Sequence, residues 1–237
     1  MTSYSRLAAP LAVALLFTGP ASAAERRFGL SSFEAIEVMA DVDVEVTTRA
    51  PVSAVATGPQ DALDRLVLET RSGRLVISSK KFSDDENRPT KPGAVTIRIN
   101  AANLQSATLV GAGSLQVDQL KGTRVAVGLR GPGRIGVGRI TTDRLAVAMI
   151  GNGTMTLAGT AKQGQMTLSG ANMVDAGKLA IDELTSDSEG AGDHIFNAVK
   201  SAALTTRGIG KTVVLGRPVC TVRNTGSGSV TCGPAKR

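Results

Sequence analysis

The sequence predicts an all-β protein whose chain winds into a parallel β-helix, a solenoid with about 18–20 residues in each coil. Two observations predict this fold. Glycine-x-glycine triplets recur at a nearly constant spacing through the second half of the chain, and apolar residues alternate with polar residues on both sides of each triplet. Repetition at a short fixed period is typical of a solenoid, and alternation with period two is typical of half-buried strands.

The triplets mark the corners of the predicted coils. Of the 27 glycines, 22 lie at or beyond Gly111, and successive triplets begin 18–20 residues apart when Gly170-Ala171-Asn172 is counted as a degenerate member. A tight corner requires a positive φ or a close approach of two backbones, and glycine allows both at little steric cost. The predicted corner glycines are Gly111, Gly113, Gly131, Gly133, Gly151, Gly153, Gly170, Gly190, Gly192, Gly208, Gly210, Gly226 and Gly228.

Strands are predicted on both sides of each corner. Leu115 and Val117 follow Gly111 with period two, and Val125 and Val127 approach Gly131 with the same period. A β-propeller blade would need about 40 residues, and a leucine-rich repeat would need its Leu/Asn pattern. Neither alternative fits this spacing.

The segment before the regular corners is less periodic. Residues 33–48 alternate as a strand region, and residues 58–61 (GPQD) predict a short helix that extends to Leu66, because proline and aspartate favour a helix start. Further strands are predicted at residues 66–70, 74–78 and 95–99, with a charged, proline-containing loop at residues 80–93. We expect residues 24–100 to form irregular first coils and a cap, and residues 101–237 to form the regular coils of the same domain, because an uncapped end would invite pairing with other chains.

Residues 1–23 are predicted to be a secretory signal peptide. Arg6 precedes an apolar stretch at residues 7–17, and Ala21-Ser22-Ala23 forms a small-x-small cleavage site. The apolar stretch is shorter than the roughly 20 residues of a membrane-spanning helix, and no other segment predicts a transmembrane helix. The alternative is a buried N-terminal helix of a cytosolic protein. We expect export to the periplasm, the cell surface or the extracellular space.

Composition excludes several classes of function. The hydrophobic fraction of 42% and the charged fraction of 20% are typical of a soluble globular protein and oppose global disorder. One histidine and two cysteines exclude most Cys/His metal sites. The chain has a net charge of +7, but export and a 3% aromatic content oppose nucleic-acid binding, which uses stacking aromatics. No cofactor is expected.

Cys220 and Cys232 are predicted to form a disulfide. They lie six residues before and six residues after Gly226, in inward-facing slots on the two sides of the last corner. An exported protein meets oxidising conditions. The alternative is a reactive thiol pair, although this spacing matches no redox motif.

The ordered motifs resemble the head GIN domain family, whose members are described as putative heads of auto-transporter adhesins. The resemblance rests on residues 33–46 (F-x-x-I-x-V, then D-V-x-V), residues 73–77 (G-R-L-V-I), the successive corners, and residues 216–218 (G-R-P). It implies a right-handed parallel β-helix in a secreted bacterial protein with an adhesin-like role. It brings no catalytic or ligand residues.

Four basic residues form the candidate partner-binding site. Arg130 and Arg207 stand immediately before their glycine triplets, and Arg134 and Lys211 follow theirs. This basic stripe along one edge of the solenoid could contact an anionic envelope polymer; the alternative is ordinary surface charge.

His194 and a run of acidic residues are the other candidates. His194 occupies the slot that holds Leu115 in an earlier coil, which predicts a buried side chain rather than a general base. The acidic residues could bind calcium or form a solvated face, and the sequence favours the solvated face because the calcium-binding nonapeptide pattern is missing. They are Asp182, Glu183, Asp187, Glu189 and Asp193.

Three functions remain open. The favoured one is a non-enzymatic envelope or cell-surface binding module, with an anionic polysaccharide or a protein as its partner. The second is a structural protein that self-assembles into a homo-oligomer. The third is a carbohydrate-active enzyme, which is disfavoured because residues 24–237 contain no tyrosine or tryptophan to serve as a platform for sugar rings.

Overall fold

The computed structural model describes residues 24–80 and 95–233, and these residues form seventeen strands and one short helix. The predicted signal peptide and residues 81–93 of the predicted loop lie outside the described residues. The elements are β1 (Ala24–Phe28), β2 (Ala35–Val38), β3 (Asp43–Thr48), β4 (Ser53–Gly58), α1 (Gln60–Arg65), β5 (Leu66–Arg71), β6 (Arg74–Ser79), β7 (Thr96–Ala101), β8 (Ser106–Val110), β9 (Ser114–Val117), β10 (Leu120–Arg130), β11 (Arg134–Ile150), β12 (Thr154–Ser169), β13 (Met173–Gly190), β14 (Asp193–Gly208), β15 (Lys211–Gly216), β16 (Val219–Asn224) and β17 (Ser229–Cys232).

The chain forms a solenoid of stacked parallel coils, which confirms the predicted fold class. From β8 to β16 it makes six turns, and each strand pairs in parallel with the strand one turn earlier. Paired residues are 17–20 positions apart, as in Val110 with Arg130 and Glu189 with Arg207. The period of the glycine corners is therefore the period of the coil.

Each coil has three faces, and the long strands bend from one to the next. The first face precedes the glycine corner and includes residues 106–110, 126–130, 146–150, 165–169, 185–189 and 203–207. The second face follows the corner and includes residues 114–117, 134–137, 154–156 and 211–214. The third face includes residues 120–124, 140–144, 159–163 and 179–183. Aliphatic side chains such as Leu129, Ile135 and Ile140 point inward from the three faces and are fully buried.

Stacked glycines line the corners between the first and second faces. The first glycines of six corners, from Gly111 to Gly208, have φ between +113° and +148°. The second glycines have no such φ, but a Cβ on Gly133 would lie 2.7 Å from the carbonyl oxygen of Gly111. Both physical reasons for a glycine corner therefore apply: the first glycine adopts a positive φ, and at corners such as that of Gly190 it also approaches the backbone of the coil below, as the second glycine does.

An irregular cap closes the N-terminal end. β2 and β3 form the first coil, and β4 pairs antiparallel with β1 and β7 beside it. β5 and β6 form an antiparallel hairpin that continues the first face, and α1 buries Leu63. The predicted helix and the strands predicted at residues 66–70, 74–78 and 95–99 are confirmed to within two residues. The strand region predicted at residues 33–48 is divided into β2 and β3, and β1 and β4 were not predicted.

The C-terminal end is formed by β16 and β17, each of which has a parallel partner strand on one side. The side chain of Val222 occupies an inward slot next to Leu204 yet is 42% exposed, because none of the described coils lies beyond it. Cys220 and Cys232 form the predicted disulfide across this last coil, with their Cα atoms 6.5 Å apart. The disulfide joins the two terminal strands directly.

Replacing both cysteines by serine is expected to loosen the last coil selectively. Closing a loop of about this length stabilises a chain by roughly 3 kcal/mol, which corresponds to a roughly 100-fold change in an opening equilibrium. Amide hydrogen exchange should therefore accelerate by up to about 100-fold in β16 and β17 and much less in β11–β13. Equal acceleration in all of these strands, or none in the last two, would contradict this local role.

Candidate functional site

The four residues of the basic stripe lie on the edge between the first and second faces. Arg130 and Arg134 flank one glycine corner, and Arg207 and Lys211 flank another corner four coils further along. At a strand spacing of about 4.8 Å, the two pairs are separated by roughly 19 Å. The structure therefore places two separate cation pairs on one edge rather than a continuous row.

Acidic residues surround the second pair. Arg207 Nη2 lies 2.7 Å from Asp187 Oδ1, and Arg207 stands in register with Glu189. The carboxylate of Asp193 accepts a hydrogen bond of 2.9 Å from the backbone N–H of Lys211. The positive potential at this corner is therefore reduced, and partner binding by the stripe stays a prediction.

The acidic run separates onto different sides of the solenoid. Asp182 lies on the third face and pairs with Lys200 at 2.8 Å, whereas Asp187 lies on the first face and Asp193 on the second. Calcium requires six to eight oxygens that converge on one point. These carboxylates do not converge, and no metal-ligating cluster is found in the described part of the chain.

His194 is buried in the inward slot that the sequence predicts. Its side chain is 4% exposed, and Nε2 donates a hydrogen bond of 2.8 Å to Oδ1 of Asn172, which stands at a glycine position of the degenerate corner. The ring stacks against Phe196 with centroids 5.9 Å apart. Burial lowers the pKa of His194 to about 4, and the charge of Asp193 opposes this shift. The geometry is that of a core residue.

A groove runs along the edge between the third and first faces, and the sequence analysis did not identify it. It has a volume of about 850 Å³. The groove is lined by Gln105, Ser106, Arg124, Val125, Ala126, Arg144, Leu145, Ala146, Gln163, Gly164, Gln165, Glu183 and Thr185. Arg124 and Arg144 are 20 residues apart, which is the length of one coil. This interval is the one feature of the sequence that could have indicated that the two arginines are neighbours. Glycine does not recur at the bend between these faces, where Gly164 aligns with Leu145 and Leu184 of the neighbouring coils, so the sequence could not assign the two arginines to an edge.

A family model described as a putative auto-transporter adhesin, head GIN domain, matches residues 32–218, about four-fifths of the chain. The chain belongs to this family. The resemblance predicted from the corner motifs is thereby confirmed. Membership of an adhesin-like family indicates an extracellular or surface protein. In this head GIN domain, no helix within residues 24–80 and 95–233 is long and apolar enough to cross a bilayer.

Several solved structures are similar to this head GIN domain. A putative adhesin from Bacteroides fragilis has a TM-score of 0.79 and 21% sequence identity, with 90% of this chain and 97% of that chain covered. A putative adhesin from Parabacteroides merdae has a TM-score of 0.69 and 16% identity, with 90% and 97% covered. A putative lipid binding protein from Parabacteroides distasonis has a TM-score of 0.70 and 19% identity, with 90% and 98% covered. At these identities the likeness shows the fold alone. No curated protein matches the sequence.

Proposed function

We propose that this head GIN domain is a non-enzymatic binding module of the bacterial envelope or cell surface, exported by means of residues 1–23. Its partner is an anionic envelope polymer that contacts polar and basic side chains on the outside of the solenoid. The family's adhesin-like description supports this proposal, as does the predicted signal peptide.

The observation that carries the proposal is the division between the inside and the outside of the coils. The interior is a closed column of buried side chains, whereas the outward positions repeat from coil to coil in register at about 4.8 Å. Side chains in such columns can make the same contact several times along an extended partner. This geometry suits recognition of a polymer better than enclosure of a small molecule.

A self-assembling structural protein is the second candidate, and one exposed apolar patch favours it. Ile195 and Leu215 project from the second face, 40% and 42% exposed, and both would contact a Cβ placed on Gly177. Met173 lies on the same face and is 55% exposed. Contiguous exposed apolar side chains often mark an interface between proteins.

Expression of the full chain in a Gram-negative host, with and without residues 1–23, tests both export and binding. We expect the exported protein to begin at Ala24 by mass spectrometry. After purification it should be a monomer by light scattering and should be retained by isolated cell envelopes or peptidoglycan. The protein lacking residues 1–23 should stay in the cytoplasm. A defined oligomer without affinity for the envelope would overturn the binding proposal in favour of self-assembly.

A further inference from the structure

We propose that the groove between the third and first faces binds a carboxylate-bearing polysaccharide, and that Arg124 and Arg144 hold its acidic groups. This inference rests on the proposed function, because it names the site and the ligand class of that binding module. It places the principal contact outside the basic stripe.

Arg124 and Arg144 are neighbours that have no counter-ion among the described residues. They stand in register on adjacent coils, which sets their backbones about 4.8 Å apart. Like charges directly opposite each other destabilise a sheet. Neither guanidinium forms an ion pair with any residue that the structure describes, whereas Arg98 pairs with Glu45 and Arg207 with Asp187 across adjacent strands. Two adjacent guanidiniums form a local excess of positive charge that an anion would neutralise.

Two glutamates on this edge are engaged by amides rather than by the arginines. Gln105 Nε2 donates a hydrogen bond of 2.8 Å to Glu34, and Gln163 Nε2 donates one of 3.3 Å to Glu183. Along the solenoid axis a glutamine therefore separates the arginine pair from a glutamate at each end. This arrangement keeps both guanidiniums available to a ligand.

The rest of the groove suits a chain of hydroxyl-bearing units. Ala126 and Ala146 are small, exposed residues beside the arginines, and they let a ligand approach the sheet closely. Gln165 and Thr185 continue the same outward column with amide and hydroxyl groups. The groove spans four coil steps, or roughly 19 Å at the usual strand spacing.

Other anionic partners fit the groove less well. The backbone groups beneath it are already used in the parallel ladders of β10–β13, so an acidic peptide could not add as a further strand. Val125 and Leu145 are buried, so the lining offers no exposed large apolar side chain to a lipid. A guanidinium binds a carboxylate through two parallel hydrogen bonds. With strand addition and an apolar lipid contact both opposed by the lining, we assign these contacts to the carboxylates of an acidic glycan.

Binding of the purified exported protein to polygalacturonate tests the inference, with dextran as the neutral polymer and polyglutamate as the acidic peptide. The double variant Arg124→Gln, Arg144→Gln should bind polygalacturonate about 30-fold more weakly, because it loses two charge-assisted contacts. The double variant Arg130→Gln, Arg134→Gln removes the same charge from the stripe and should lose at most about threefold. Both variants should unfold at or above the temperature of the parent protein, since the first relieves a repulsion between like charges.

The outcomes separate this inference from the proposed function. Equal losses in the two variants, or equal affinity for dextran, would overturn the assignment to the groove. Polyglutamate that binds as tightly as polygalacturonate would show that the site recognises charge and not a glycan. Retention by isolated envelopes without affinity for polygalacturonate would overturn the ligand class alone, whereas loss of both would overturn the proposed function as well.

Discussion

Replacing Gly190 by alanine is expected to lower the free energy of unfolding by roughly 3 kcal/mol or more. Gly190 has a φ of +116°, which L residues rarely adopt, and an added Cβ would lie 2.5 Å from the carbonyl oxygen of Gly170 in the coil below. A left-handed backbone costs about 1–2 kcal/mol with a side chain, and overpacking adds about 1–3 kcal/mol. The clashing atom belongs to the backbone of a neighbouring corner, so it cannot rotate away.

Gly128→Ala is the matched control for this prediction. Gly128 lies inside β10, its φ is not in the left-handed region, and the nearest atoms to an added Cβ are side-chain atoms of Thr108 at 3.3 Å. Alanine should be neutral here or stabilise by up to about 1 kcal/mol, because glycine loses more conformational freedom on folding. Urea denaturation of both variants gives the comparison. Similar losses of stability would mean that the corner stack is not what makes Gly190 necessary.

The same glycines explain why so much of the fold could be predicted. A corner that tolerates no Cβ requires glycine at the same position of every coil, so it can be recognised in the sequence. The alternation of apolar and polar residues, as at Val125, Val127 and Leu129, identifies the strand beside the corner. The third face is harder to recognise from the sequence. In β11 it contains Thr142, which is buried and hydrogen-bonded to backbone carbonyls, so polar and apolar positions no longer alternate cleanly. The sequence therefore predicted two strands around each corner without assigning a third face.

The candidate sites next to a glycine corner could be predicted, whereas the groove could not. The basic stripe could be located because its residues adjoin glycines whose position in the coil was known. Cys220 and Cys232 could be paired because they occupy equivalent slots on either side of Gly226. Arg124 and Arg144 lie next to a bend that has no recurring mark in the sequence, because Val125, Leu145 and Gly164 occupy it in successive coils. Only the three-dimensional register shows that glutamines stand between the arginine pair and the glutamates on this edge.

Acidification is expected to remove about 3 kcal/mol of stability through His194. The pKa of this residue is lowered from 6.5 to about 4 in the folded protein, chiefly by burial. Above pH 6.5 the imidazole is neutral in both states and the full stability is present. Between pH 6.5 and 4 the unfolded chain binds a proton that the folded protein excludes. The free energy of unfolding therefore decreases as the pH is lowered through this range. The loss is complete near pH 4.

Asn172 and His194 form a polar pair at positions where other coils have a glycine and an aliphatic side chain. Asn172 stands where Gly153 stands one coil earlier, and His194 stands where Val174 does. Nδ1 of His194 and Nδ2 of Asn172 have no hydrogen-bond partner within the described protein. Changing His194 alone would leave the Asn172 amide wholly unpaired, so the informative variant is the double substitution Asn172→Gly, His194→Leu.

This double variant should match or exceed the parent stability at pH 7 and should lack the histidine contribution to the loss at low pH. Every other ionisable group is common to the two proteins, so subtracting their urea-denaturation profiles between pH 7 and pH 4 isolates the contribution of His194. The difference between the two free energies of unfolding should grow by about 3 kcal/mol across this range. Parallel profiles would show that the folded protein accepts the proton, and hence that the inward slot opens to solvent without unfolding. A growing difference would instead mean that one buried imidazole makes the coils near the C-terminal end the acid-sensitive part of the solenoid.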